Sequence, residues 1–145
     1  MTRSLCFALA LIATAMTGCD SGFVAPPAFS NIDDRAFRLT LLDAAGDTVT
    51  TGEVSFDRDP QPGQRADGTY RLDDPGVGYG QSGDLVADYY VGSGDCAEQL
   101  WIRFDPRVSD AGLEFVTACE ASALRGDWYE DNIQGRQVRG TFVLE

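Results

Sequence analysis

The sequence predicts an all-β domain whose eight strands close as a single antiparallel up-and-down barrel. Apolar and polar side chains alternate with a period of two in eight successive segments, the pattern of strands with one buried face. Short, turn-rich connections let each segment fold back on the one before it. Glycine recurs at the same place in four of the segments. The longest helix-like stretch, CEASALR, has only seven residues and is flanked by strand patterns.

Taken in order, Phe37, Leu39 and Leu41 alternate with Arg38 and Thr40, and Val54 and Phe56 alternate with Glu53, Ser55 and Asp57. Tyr70 and Leu72 share a face in the third segment, and Leu85, Ala87, Tyr89 and Val91 in the fourth. Leu100, Ile102 and Phe104 follow, then Leu113, Phe115, Thr117 and Cys119. Leu124 and Trp128 mark the seventh segment, and Val138, Phe142 and Leu144 the eighth.

A hairpin register must set inward residues opposite inward residues. With DAAGDT as a short loop, Leu41 faces Thr50, Leu39 faces Gly52 and Phe37 faces Val54. With NIQG as the last turn, Trp128 faces Val138 and Gly126 faces Gly140, and Gly135 takes the left-handed position. Sequential hairpins describe a meander, and closing it into a barrel removes the exposed edges. A two-sheet β-sandwich with glycine bends is the competing closure. GEVSF, GTYRL, GDWYE and GTFVL each place an inward glycine, Gly52, Gly68, Gly126 or Gly140, two residues before a bulky inward side chain. Glycine there lets a coiled strand bend and leaves room for a large neighbour across the lumen.

The N-terminus precedes this domain with Arg3, an apolar run from Leu5 to Met16, and Thr17-Gly18-Cys19, the layout of an export signal. The run is too short to span a bilayer. MTGC resembles the lipobox of bacterial lipoproteins, and the resemblance implies cleavage after Gly18 and a lipid, palmitate among its acyl chains, on Cys19. Two or three acyl chains make a lasting anchor, because each buried CH₂ contributes about 0.8 kcal/mol. Asp20 resembles the inner-membrane retention signal of enteric bacteria. The division that follows is a signal peptide over 1–18, a lipidated tether over 19–35 containing Pro26-Pro27, and a barrel domain over 36–145. The expected location is the bacterial cell envelope, outside the cytoplasm and held to the membrane by lipid.

Charge narrows the partners. The chain has 23 acidic residues against 11 arginines, with neither lysine nor histidine, for a net charge of −12. Such a surface repels nucleic acid and anionic headgroups. The acids are spread along the chain, which speaks for solubility rather than for one site.

Without histidine or lysine, the usual general base and metal ligand are missing. Carboxylate chemistry would draw on Asp57/Asp59, Asp73/Asp74 or Glu130/Asp131, each at a strand end or in a loop where acids meet water. No segment matches a spaced calcium loop. The expectation is therefore a protein that is not an enzyme and that uses neither metal nor cofactor. Cys96 and Cys119 are left for the folded domain, and an exporting compartment permits a disulfide between them. Pairing them sets Leu100 opposite Phe115, Ile102 opposite Leu113 and Phe104 opposite Ala111. The loop so closed would stabilise the fold by about 3.5 kcal/mol on a chain-entropy estimate.

Eight aromatics, Phe37, Phe56, Tyr70, Tyr89, Phe104, Phe115, Trp128 and Phe142, project inward, and an eight-stranded barrel is just wide enough to be filled by side chains or to hold one small ligand. So many large residues favour a filled interior. Trp101 and Tyr129 fall on the outer face, a pair suited to a partner patch. In strand count and in its G-x-aromatic strands the domain resembles small lipocalin-like or calycin-like lipoproteins. The leading functional reading is a non-catalytic envelope interaction or structural module with a protein partner. A lipocalin-like carrier of a small apolar ligand is the second reading, and an inhibitor of a basic envelope-attacking enzyme such as lysozyme is the third.

Overall fold

The computed structural model describes residues 31–74, 80–91, 98–105, 107, 112–119 and 124–145. Its strands are β1 (Ala36–Asp43), β2 (Thr48–Phe56), β3 (Arg65–Leu72), β4 (Ser82–Val91), β5 (Glu98–Phe104), β6 (Gly112–Thr117), β7 (Leu124–Asn132) and β8 (Gly135–Leu144). Each is antiparallel to the next, and β8 returns to pair with β1, so the meander closes into a barrel and no sandwich forms. All eight predicted inward aromatics lie in the buried cluster.

The rings fill the lumen. Tyr70 stacks on Phe104 with centroids 3.9 Å apart, Phe104 meets Phe115 at 4.6 Å, and Phe115 meets Phe142 edge-on at 5.3 Å. The space left among Leu39, Ile102, Phe104, Phe115 and Phe142 does not admit a water-sized sphere. Tyr70 closes one end, its hydroxyl donating to the Asp105 carboxylate and lying 3.3 Å from the Gly80 carbonyl. Tyr89 sits near the other end, where burial first, and then the Glu98 carboxylate beside it, push its phenol far above the usual range.

That second end is also sealed by a segment expected to be tether. Ile32 is buried in the core. Asp59 holds it there, accepting the backbone N–H groups of Asn31, Ile32 and Asp33 at 3.0, 2.7 and 3.1 Å. Burial alone would raise the Asp59 pKa, but these donors together outweigh it and lower it. The folded body therefore begins before Ala36, because an apolar side chain at position 32 reaches the open mouth of the barrel.

The β1–β2 register is as predicted, with Leu41 opposite Thr50, Leu39 opposite Gly52 and Phe37 opposite Val54. Two other registers differ from expectation. Between β5 and β6, Ile102 lies opposite Phe115 and Arg103 opposite Glu114, a displacement of two residues. A slip of two keeps every inward residue inward, so periodicity does not discriminate. The observed register sets Arg103 across from Glu114, an opposite-charge pair that the expected one lacks. The ladder stops at Trp101–Val116, beyond which Thr117 Oγ1 accepts from the Leu100 N–H. The strands therefore do not adopt the register that set Cys96 opposite Cys119; Cys96 lies outside the described residues, and Cys119 follows β6 with its sulfur 3.5 Å from Gln99 Nε2.

Between β7 and β8, Trp128 lies opposite Gly140 and Gly126 opposite Phe142, and a bulge follows before Tyr129 pairs with Val138. The extra residue turns Val138 outward, where it is 64% exposed instead of inward as its parity suggests. Gly135 does adopt the left-handed conformation expected at this turn, with φ of 101°.

The repeated glycines act at the neighbouring strand, not across the lumen. A Cβ at Gly126 would land on the Val116 carbonyl, and one at Gly140 on the Leu42 carbonyl and 2.8 Å from Asp43 Cα. Gly52 and Gly68 meet the Arg71 and Ser55 carbonyls in the same way. Over Gly140 the Trp128 ring crosses β8 and donates its indole N–H to the Leu42 carbonyl at 2.8 Å. Gly140→Ala should therefore lower stability by about 3 kcal/mol, read as a shift of the urea midpoint at constant slope.

Candidate functional site

The outer wall over β4 to β8 carries the most organised group of polar and aromatic side chains among the described residues. β6 begins it, because all six of its residues are buried although alternate ones face out. Glu114, on that outward face, is only 6% exposed. Arginines cover it from both sides. Arg103 on β5 donates to Glu114 Oε1 through Nε at 2.8 Å and through its terminal nitrogen, and Arg136 on β8 places Nε 3.2 Å from Oε2. Arg136 also lies over the Tyr129 ring at 3.7 Å and the Trp101 ring at 4.9 Å, so one side chain spans from β8 to β5.

A shallow groove of about 250 Å³ continues from this cover toward β3, lined by Arg65, Val86, Asp88, Tyr90, Trp101, Arg103 and Glu114. Tyr90 is 52% exposed and meets Trp101 edge-on at 5.4 Å. Arg65 grips Asp88 in a bidentate pair at 3.1 and 3.0 Å. The groove is therefore preorganised, with its charges held by neighbours, Tyr90 open to solvent and Trp101 half-buried in contact with Tyr90 and Arg136. Tyr, Trp and Arg in one patch are the residue types that anchor protein interfaces.

Asp131 completes the cluster. Burial first, then the charge of Glu114 and a hydrogen bond to it, raise its pKa above the ordinary carboxylate value, with Arg103 and Arg136 opposing. Its nearest arginine nitrogen, on Arg103, is 4.0 Å away. Two carboxyls and two guanidiniums thus share one wall, and burial beside Glu114 shifts Asp131 toward its neutral form.

The sequence-derived acid pairs do not converge. Asp131 joins Glu114 and not Glu130, since adjacent strand residues point to opposite faces, and Glu130 instead binds Arg139 at 2.6 Å. Asp59 serves the N-terminal segment, and Asp57 is exposed. Asp73 accepts from Thr51 at 2.6 Å and from Arg38 at 2.7 Å, which together hold its pKa down against some desolvation, and Asp74 is exposed. Trp101 and Tyr129 are on the outer wall as expected and share Arg136. Sequence reasoning did not single out Glu114, Arg136 or Tyr90. An acid inside GLEFVT was the available signal, but its partners depend on register. Cys19 lies outside the described residues.

Compared with known proteins, the chain matches no family model, no curated protein and no solved structure.

The raised pKa of Asp131 sets a direction for stability against pH. A folded pKa above the ordinary 3.8 means that its contribution to stability is full below that pH and is lost as pH rises through the folded value. Asp131→Asn should therefore gain melting temperature relative to the parent as pH rises through that window. Glu114→Gln should lose about 1–2 kcal/mol at neutral pH, because Arg103 and Arg136 lose their carboxylate while water still reaches both guanidiniums. Thermal melts across the acid-to-neutral range check both.

Proposed function

We propose that this chain is a lipid-anchored, exported envelope protein whose barrel is a non-catalytic interaction module, holding a protein partner on the outer wall around Tyr90, Trp101 and Arg136. The observation that carries the reading is the filled interior, which leaves no space for a ligand between Phe104, Phe115 and Phe142. What remains available for recognition is the surface, and there the exposed Tyr90, the half-buried Trp101 and paired charges cluster on one wall. A small apolar ligand would need a lumen of a few hundred Å³, the usual size of such sites.

The anchor is part of the same proposal. The MTGC motif supports acylation of Cys19, and the thirteen residues from Cys19 to Asn31 would reach about 40 Å if extended. Ile32 enters the barrel at the end that also holds the β2–β3 loop, so that end would face the membrane. A disulfide between Cys96 and Cys119 belongs to this reading as well, supported by the oxidising compartment.

Intact mass of the purified membrane-fraction protein should show a chain beginning at Cys19 with acyl mass added; an unacylated N-terminus overturns the anchor. For the partner, the measurement is photo-crosslinking in intact envelopes. A photoreactive residue at Tyr90 should give a discrete adduct that Trp101→Ser abolishes while the melting temperature holds, and one at Thr40, three strands away on β1, should give none. Equal adducts at both positions, or none at either, overturn the interaction reading.

A further inference from the structure

The β7–β8 hairpin outruns the barrel. β1 pairs with β8 from Leu39–Leu144 to Asp43–Gly140 and then turns away, whereas β7 stays paired with β8 as far as Asn132–Gly135. Residues 135–139 of β8 therefore have a strand on one side only among the described residues. Such an edge presents backbone N–H and C=O groups to any extended chain that comes beside it, and proteins normally guard it with outward charges. Here the two candidate guards are drawn aside: Arg136 onto Glu114 at 3.2 Å and Arg139 onto Glu130 at 2.6 Å. Val138, between them, is left 64% exposed.

A groove of about 440 Å³ lies along this edge, between β8 and the turn from β1 to β2. Its lining includes Val138, Gly140, Asp43 and Asp127. Asp43 uses one oxygen to cap its own turn, accepting from Ala45 and Asp47. Neither Asp43 nor Asp127 has an ion-pair partner among the described residues, whereas the arginine in the groove, Arg139, is neutralised by Glu130. The groove therefore combines an unpaired ladder, one apolar contact and uncompensated negative charge.

We propose that residues 135–139 form a strand-addition site for an extended, lysine- or arginine-bearing segment of a partner protein. Backbone groups of the incoming segment continue the sheet, a small apolar side chain packs beside Val138, and a cationic one reaches the corner made by Asp43 and Asp127. A second copy of this chain fits poorly. Each copy carries a net charge of −12, so two copies repel each other. This edge adjoins the Tyr90–Trp101 wall through Arg136 but does not depend on that wall, and it lies at the end of the barrel opposite Ile32.

The probe is a short peptide of alternating lysine and valine, added to the full exported chain and followed by backbone amide shifts and by anisotropy. Shifts should concentrate on residues 136–139, and affinity should fall as salt rises. A peptide with the same side chains but N-methylated on alternate amides should bind about tenfold or more weakly, as should the parent peptide to Asp127→Arg, checked for folding by its melting temperature. Trp101→Ser should leave the binding unchanged, which separates this edge from the wall patch. Equal binding of the N-methylated peptide, shifts centred elsewhere, no binding, or dimerisation of the chain through β8 each overturn the proposal.

Discussion

The structure depends on what happens at Gly140. β8 must pair with β7 on one side and β1 on the other, and at this residue the β1 backbone comes so close that a Cβ would land on the Leu42 carbonyl. The missing side chain also clears a path for the Trp128 ring, whose indole N–H then binds that same carbonyl at 2.8 Å. One bulky ring thus joins the first strand to the seventh over the eighth, covering the glycine that allows the approach. The bulge that immediately follows Trp128 reverses the facing of Val138 and lets the hairpin leave the cylinder. Closure of the barrel and creation of its exposed edge are therefore consequences of one local geometry.

A closed cylinder of eight strands has little interior, and here aromatic rings occupy it. Tyr70, Phe104, Phe115 and Phe142 run across the lumen in contact, and Ile32 with Asp59 completes the packing at one mouth. The consequence is that recognition moves outward. β6 shows how far this goes, since its outward residues Glu114 and Val116 are nearly as buried as its inward ones. Arginine is suited to that cover: its planar head stacks on Tyr129 and Trp101 while its N–H groups reach Glu114. A lysine would offer a point charge without the flat face. The wall is consequently ordered by cation–π and ionic contacts that buttress one another, with Asp131 beside Glu114 and its pKa raised by burial and that neighbouring charge.

Much of this architecture was legible in the chain. The period of two identified the eight strands and the inward aromatics, because a strand's side chains must alternate whatever surrounds them. Turn chemistry identified the β1–β2 register and the left-handed Gly135. The four glycines were recognised as necessary to closure, although the neighbour they accommodate is the adjacent backbone and not a ring across the lumen. The site was less legible. Trp101 and Tyr129 could be assigned to the outside, but their connection through Arg136 could not, since it joins strands that are distant in sequence.

Local periodicity by itself determined the fold class, the number of strands and the inward aromatics, but not the facing of Val138, which the bulge in β8 reverses. Only tertiary structure decided how β5 slides along β6 and β7 along β8, because a slip of two residues preserves every facing and costs the hydrophobic pattern nothing. The choice between such registers falls to contacts with no local signature: Arg103 opposite Glu114 between β5 and β6, and Trp128 over Gly140 between β7 and β8. Both candidate surfaces, the arginine-bridged wall and the free edge of β8, are products of those choices, which is why the sequence pointed to a barrel and the three-dimensional arrangement to where it can bind.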